Sequence, residues 1–346
     1  MSETDSSVSG SLSQASSGVP LVVSVVMPTH NRADAIGLTL DQIALQTGLD
    51  GDFEVIVVDD GSTDGTEGVI MGRSRPFELT YIKQPCRGAG AARNAGGAQA
   101  RAPLILFLDS DVVPDAGMLQ AHVVTHAQAS GRLVVGRIKT WPDESVPWCE
   151  RVAQQGSSGM DYGDDARLVT FSYALGGNFS IERRLFLEIG GYDETFPAAG
   201  CEETEFAYRA ERQGYPLFYQ PGAVGYHNHS RSLSQRCRQQ EAHMRSMALL
   251  VELHPETQTI IHDVDELVPI LAAPMTARIV WRRLRASVLA SPPVRSGMYR
   301  SLTWLDRRHA SPRLASFLYW RLMTGWRQAG FRDGLRLYGG AIRKAS

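Results

Sequence analysis

From residue 21 onward the chain alternates short apolar runs with stretches of helical spacing. Residues 21–27 are apolar except for Ser24 and end at Pro28. Residues 53–58 and 104–108 repeat the pattern, and each run stops at aspartate: Asp59-Asp60-Gly61 after the first, Asp109-Ser110-Asp111 after the second. Between them, residues 34–46 place Ile36, Leu40, Ile43 and Ala44 on one helical face, residues 79–82 form a short strand, and residues 90–100 form an alanine-rich helix. Uninterrupted apolar strands alternating with helices predict an α/β fold with a parallel sheet covered on both faces. Ligands in such sheets bind at the carboxyl ends of the strands, where the polar clusters fall.

The pattern changes at both ends. Residues 1–20 carry eight serines and neither a basic nor an apolar segment of a secretory signal, which predicts a disordered leader. Beyond residue 230 the periodicity is purely helical, over 232–253, 275–289, 295–308, 312–328 and 331–343. No uninterrupted apolar stretch reaches the roughly 18 residues needed to span a bilayer. Three regions result: a leader (1–20), an α/β domain (21–230) and a helical extension (231–346).

Composition sharpens this division. The 346 residues are 43% hydrophobic with a formal net charge of −2. That near-neutral sum hides 19 Lys+Arg against 8 Asp+Glu in residues 231–346, and 16 against 29 before them. The basic helices mix arginine with Trp, Tyr, Leu and Met. Such a surface either lies on anionic lipid or packs on the acidic domain. No nucleic-acid-binding module accompanies the charge. The four cysteines are scattered without a C-x-x-C pair, which points to a reducing, cytoplasmic setting rather than a disulfide framework or zinc site.

Candidate chemistry sits at the strand ends. Asp109 and Asp111 are two hard oxygen donors that can face one Mg²⁺ or Mn²⁺, although Asp109 also suits a capping role. Asp59-Asp60 can accept from a nucleobase or ribose, or simply build a turn. In Arg87-Gly88-Ala89-Gly90, Arg93 stands where a dinucleotide fingerprint needs Gly or Ala, so a Rossmann reading fails, yet arginines at a glycine-rich helix start suit a pyrophosphate. Glu202, Glu203 and Glu205 open a helix, either as an acidic first turn or with one of them as a general base. His227, after the apolar segment 223–226, is a candidate metal ligand.

Taken in order, VSVVMPTHNRA (23–33), FEVIVVDDGSTDGT (53–66), RGAGAARNAGGAQA (87–100), LILFLDSDVVP (104–114), GGNFSIERRLFLEIGGYDETF (176–196) and EETEFAYRAERQGYPLFYQPGAVGYHNHS (202–230) resemble the family 2 glycosyltransferases. The resemblance implies the GT-A fold, a mostly parallel Rossmann-like sheet flanked by helices. It further implies inverting transfer of a sugar from a nucleotide-diphosphate donor to a small-molecule, glycan or lipid-linked acceptor. On the donor side it implies Pro28, Thr29, Asp60 at the base, Arg93, Asp109 and Ser110. For the metal it implies Asp109, Asp111 and His227. Glu203 inherits the base role from the usual Glu-Asp pair, one methylene longer than the aspartate, with Glu202 or Glu205 as substitutes. Asn178, Glu202 and Trp141 fall on the acceptor or sugar side, and Trp148, Tyr162 and Tyr173 can stack on a ring. A nucleotidyltransferase of related fold and a non-catalytic nucleotide-sugar-binding protein are the alternatives. The extension leaves peripheral contact with the inner face of a membrane open.

Overall fold

Residues buried on both sides become strands here because every second side chain faces an opposite helix layer. The computed structural model describes residues 9–12, 19–140, 161–174, 176–196, 200–228, 232–259, 284–285, 287–307 and 312–339. Ten strands are described: β1 (Ser9–Leu12), β2 (Leu21–Thr29), β3 (Asp52–Asp60), β4 (Glu78–Gln84), β5 (Leu104–Leu108), β6 (Val112–Pro114), β7 (Leu133–Thr140), β8 (Arg167–Val169), β9 (Asn178–Glu182) and β10 (Leu217–His227). They form one sheet in the order β1-β4-β3-β2-β5-β9-β7-β10-β6, with β8 beside β10.

The four apolar runs form the parallel block β4-β3-β2-β5. Beyond it β9 runs antiparallel between β5 and β7, and β10 lies parallel to β7. The carboxyl ends of β2, β3, β5 and β10 therefore share one edge. Thr29 is paired with Asp59 in register, so the first two polar clusters end level. Ser9–Leu12, inside the expected disordered leader, pairs antiparallel with β4, whose outer edge offers unpaired backbone groups.

Helices α1 (Ile36–Ile43), α2 (Thr66–Met71), α3 (Ala89–Gln99), α4 (Met118–Gln128), α5 (Arg183–Ile189) and α6 (Glu202–Arg212) flank this sheet. On one face Val25, Met27, Val55, Val57 and Leu106 pack with Ile36, Leu40, Ile43 and Met118. On the other, Phe107 meets Phe186 and Tyr192, each with ring centroids 5.2 Å away. Each such fully buried side chain contributes roughly 1.5–3 kcal/mol.

The chain divides into two compact units, and the sheet belongs to the first. The second contains residues 200–201 and the extension, with α7 (Leu233–Leu253), α8 (Pro292–Arg307) and α9 (Pro312–Tyr338). Ser232 starts α7 with a reciprocal capping box to Gln235. The separate helices expected over 312–328 and 331–343 are one helix of 27 residues. Its Gly330 faces α7 so closely that a Cβ there would lie 2.2 Å from the Glu241 carbonyl oxygen, so packing rather than helix termination explains the glycine. Of the helix expected over 275–289, only residues 284–285 and 287–289 are described, and they are helical. Among the described residues, no helix is long and apolar enough to cross a membrane.

Candidate active site

The side chain of Arg93 projects from α3 into the space between the end of β5 and the start of α6. Its Nη1 donates to Glu202 Oε1 at 2.9 Å, and its Nη2 lies 2.9 Å from Asp109 Oδ1 and 2.8 Å from Glu203 Oε1. The side chains of Arg93, Glu202 and Glu203 are 3%, 2% and 7% exposed. One guanidinium thus faces three carboxylates, of which Glu202 and Glu203 are shielded from bulk water and Asp109 is partly exposed. Burial works against the Arg93 charge, but Glu203, Asp109 and Glu202 outweigh it and hold the guanidinium firmly protonated. Burial also pushes the Glu203 carboxyl up to about 8; Arg93 opposes that rise, while Glu202 and Asp109 add to it. A carboxyl tuned towards neutrality is suited to general-base work.

The strand end after β5 carries the second half of the site. Asp109 is locked to Gly177 by two bonds, its N–H donating to the Gly177 carbonyl at 3.0 Å and its Oδ2 accepting from the Gly177 N–H at 3.3 Å. A Cβ at residue 177 would lie 2.2 Å from Asp109 Cγ, so only glycine permits this approach. Asp111 turns the other way. Its Oδ1 lies 3.5 Å from His227 Nε2 at the end of β10, and its Oδ2 lies 3.4 Å from Arg32 Nε. The Asn228 N–H donates to the Asp111 carbonyl at 2.8 Å and ties these two segments together.

The loops after β2 and β3 close the edge. Asn31, at φ 52°, accepts from the Thr63 N–H at 2.9 Å, and its own N–H donates to Ser62 Oγ at 2.8 Å. Asn is among the few residues that hold this left-handed conformation cheaply. Thr29 is buried, and its hydroxyl has no hydrogen-bond partner among the described residues.

Residues 24–190 match the model of glycosyl transferase family 2. By this match, residues 24–190 form a family 2 glycosyltransferase domain. Validoxylamine A glucosyltransferase of Streptomyces hygroscopicus subsp. jinggangensis is 32% identical over 59% of this chain and 54% of that protein. Chondroitin synthase of Escherichia coli is 26% identical over 59% of this chain and 34% of the synthase. The first of these matches spans about half the relative's length. Two solved structures share the fold at 18% identity: a mannosyltransferase of Pyrobaculum calidifontis in complex with GDP-Man and Mn²⁺ (TM-score 0.54, 90% of this chain and 87% of the other), and S. aureus TarS 1–349 in complex with UDP (TM-score 0.53, 94% and 92%). The fold is that of the GT-A glycosyltransferases.

Set in this family 2 framework, several expectations change. Asp60 does not present a free carboxylate to a base: Oδ1 accepts from Gln84 Nε2 and the Arg87 N–H, and Oδ2 from the Gly88 N–H, all at 2.8 Å. It organises the loop before α3. Asp59 does the same for its own turn through the Ser62 N–H and the Tyr81 hydroxyl.

Asn178 is fully buried and engaged inside the sheet. Its Nδ2 donates to the Ala223 carbonyl at 2.8 Å and its Oδ1 meets His122 Nε2 at 2.8 Å, joining β9 to β10 and α4. Glu205 is closed by Arg209, which binds both its oxygens and also reaches the Ile189 and Gly191 carbonyls. Both oxygens are thus engaged within α6. Ser110 is buried and its carbonyl accepts from Thr39 Oγ1 at 3.0 Å, while Pro28 lies inside β2 beside Val58. Tyr162 and Tyr173 meet edge to face with centroids 4.5 Å apart and so pack on each other. Trp141 and Trp148 lie outside the described residues.

Arg32 and Gly177 join the site although neither is singled out by its sequence alone. Both lie in the blocks that carry the family resemblance, but their partners are fixed only by the fold.

A divalent cation fits this donor set in one way. Among the described residues no cluster of three His, Cys, Asp or Glu side chains could enclose an ion. The Asp111 oxygen and His227 nitrogen are a mixed pair that suits Mn²⁺, with the remaining positions left to phosphate oxygens and water. Asp109 is already committed to Arg93.

Proposed function

We propose that this chain transfers a sugar from a UDP- or GDP-linked donor to an acceptor hydroxyl with inversion, using Glu203 as the base. The observation that carries this reading is the buried Glu203–Arg93–Asp109 contact at the carboxyl edge of the sheet. It links the carboxylate nearest neutrality to the strand end where the diphosphate is expected.

Asp111 and His227 would hold a divalent cation against the donor diphosphate, where it would neutralise charge developing on the leaving group. Arg32, beside Asp111, adds a fixed positive charge on the same side. Glu203 accepts the proton from the acceptor hydroxyl as that oxygen attacks the anomeric carbon, and the nucleoside diphosphate departs on the opposite face. Arg93 fixes the carboxylate so that one oxygen stays oriented while the other can take the proton. Thr29, with its buried unpartnered hydroxyl, supports a polar contact to the nucleoside.

A nucleotidyltransferase would release pyrophosphate instead, and the comparisons do not favour it. The test is a panel of UDP- and GDP-sugars incubated with the chain and Mn²⁺. Release of UDP or GDP from one donor, enhanced by an acceptor hydroxyl, is expected. Release of pyrophosphate, or donor binding without any turnover across the panel, contradicts the reading.

A further inference from the structure

The helical unit contains a cavity of about 300 Å³ lined by Arg295, Ser296, Tyr299 and Arg300 of α8 and by Trp326 of α9. All five lining residues can donate hydrogen bonds. The Arg295 Cζ lies over the Trp326 ring, 4.1 Å from its centroid, which holds the guanidinium at the wall of the cavity. Two lining side chains bring buried N–H groups that lack an acceptor among the described residues: Nε and Nη1 of Arg295, and Nε1 of Trp326. Glu241 is the only carboxylate paired with Arg295 among the described residues, at 3.7 Å from Nη1, too far for a hydrogen bond.

Buried donors without acceptors carry a desolvation penalty that a ligand acceptor removes. A planar guanidinium fork, a second arginine, an indole N–H and two hydroxyls match an oxyanion with several acceptor oxygens. The volume exceeds that of a bare phosphate and stands at the small end of ligand pockets, which leaves room for an attached group.

We propose that α8 and α9 form a binding site for a phosphate ester, separate from the donor site and independent of the transferase reading. Arg295 and Trp326 form its floor and Arg300 its entrance. The ester can be a soluble metabolite or a lipid headgroup. Exposed Trp304, Phe317 and Trp320 on the same two helices offer apolar surface to the latter.

The test is calorimetric titration of the full chain at low salt with hexyl phosphate, with acetate as the comparison anion. Saturable binding of hexyl phosphate, much tighter than acetate, is expected. Arg300→Gln and Trp326→Phe should each weaken it about tenfold, equivalent to 1.4 kcal/mol, with donor hydrolysis unchanged. Arg300 is exposed, so its variant carries the test even if Trp326→Phe impairs folding. Co-sedimentation with phosphatidic acid vesicles, competed by hexyl phosphate, assigns the headgroup as the source; hexyl phosphate binding without co-sedimentation assigns a soluble ester. Absence of hexyl phosphate binding, equal binding of acetate, or unchanged affinity in both variants overturns the site.

Discussion

Arg93 Nη2 lies 2.8 Å from Glu203 Oε1 and 2.9 Å from Asp109 Oδ1, so one nitrogen joins the first residue of the strand-end acidic pair to the second residue of α6. Glu203 and Asp109 are 94 positions apart in sequence. The contact makes this edge of the sheet a single electrostatic unit.

Removing Arg93 should therefore damage stability as well as chemistry. Arg93→Met leaves three carboxylates, two of them buried, without their cation, and the cost expected for breaking such a buried set is about 3–5 kcal/mol. Arg93→Lys keeps the charge but not the fork, and should recover part of the stability with little activity. Urea midpoints of the two variants, compared with wild type, check this; an Arg93→Met protein as stable as wild type would contradict it.

The strand junction at Asn178 gives a contrasting outcome. Asn178→Ala strips acceptor and donor partners from His122 and the Ala223 carbonyl inside the sheet, at an expected cost of about 1–3 kcal/mol. Because the side chain faces the core, KM for the donor should change little once the variant is held well below its melting temperature. A large KM change with unaltered stability would return Asn178 to the sugar side.

Acid should weaken the same region. Burial pushes His122 down to about 4 and His126 down to about 3, from 6.5. The unfolded chain then binds more protons than the folded one, so stability falls as pH drops from 6.5 towards 4. Glu203 acts in the opposite direction: the folded state keeps its proton between 4.5 and about 8, so its contribution falls as pH rises through that window. Thermal unfolding across pH 4 to 8 should show the acid limb flattened in His126→Gln.

The proposed metal pair can be separated from the proposed base. Asp111→Asn and His227→Ala should each lose most of the Mn²⁺-dependent gain in UDP affinity while leaving metal-free UDP binding near wild type. Titration calorimetry with and without Mn²⁺ measures both, and an intact metal-dependent gain in Asp111→Asn would remove that residue from the site.

The parallel block was legible because strands buried on both faces write continuous apolar runs, as Val55–Val58 does between its neighbours. The antiparallel half was not. Asn178 and Ser180 in β9 break its apolar pattern because they face a buried polar network with His122 and His126, a feature only the fold supplies. The site divides the same way. Asp109, Asp111, Glu203 and His227 stood out as side chains of the right chemistry at strand and helix ends. Asp60, equally conspicuous, proved to be consumed by backbone N–H groups of the next loop. The part of Arg93 facing three carboxylates depends on contacts 16, 109 and 110 residues away, which no local pattern encodes.

The most direct measurement is single-turnover release of nucleoside diphosphate by wild type and Glu203→Gln at saturating donor and acceptor, followed from pH 6 to 9. Wild type should gain rate with pH, reach half its plateau near pH 8 and level off above it, as the Glu203 carboxyl loses its proton. Glu203→Gln should bind donor normally, lose that pH limb and turn over about 10²- to 10⁴-fold more slowly. A Glu203→Gln enzyme that binds donor and works within a few-fold of wild type, with the pH limb intact, would contradict the account.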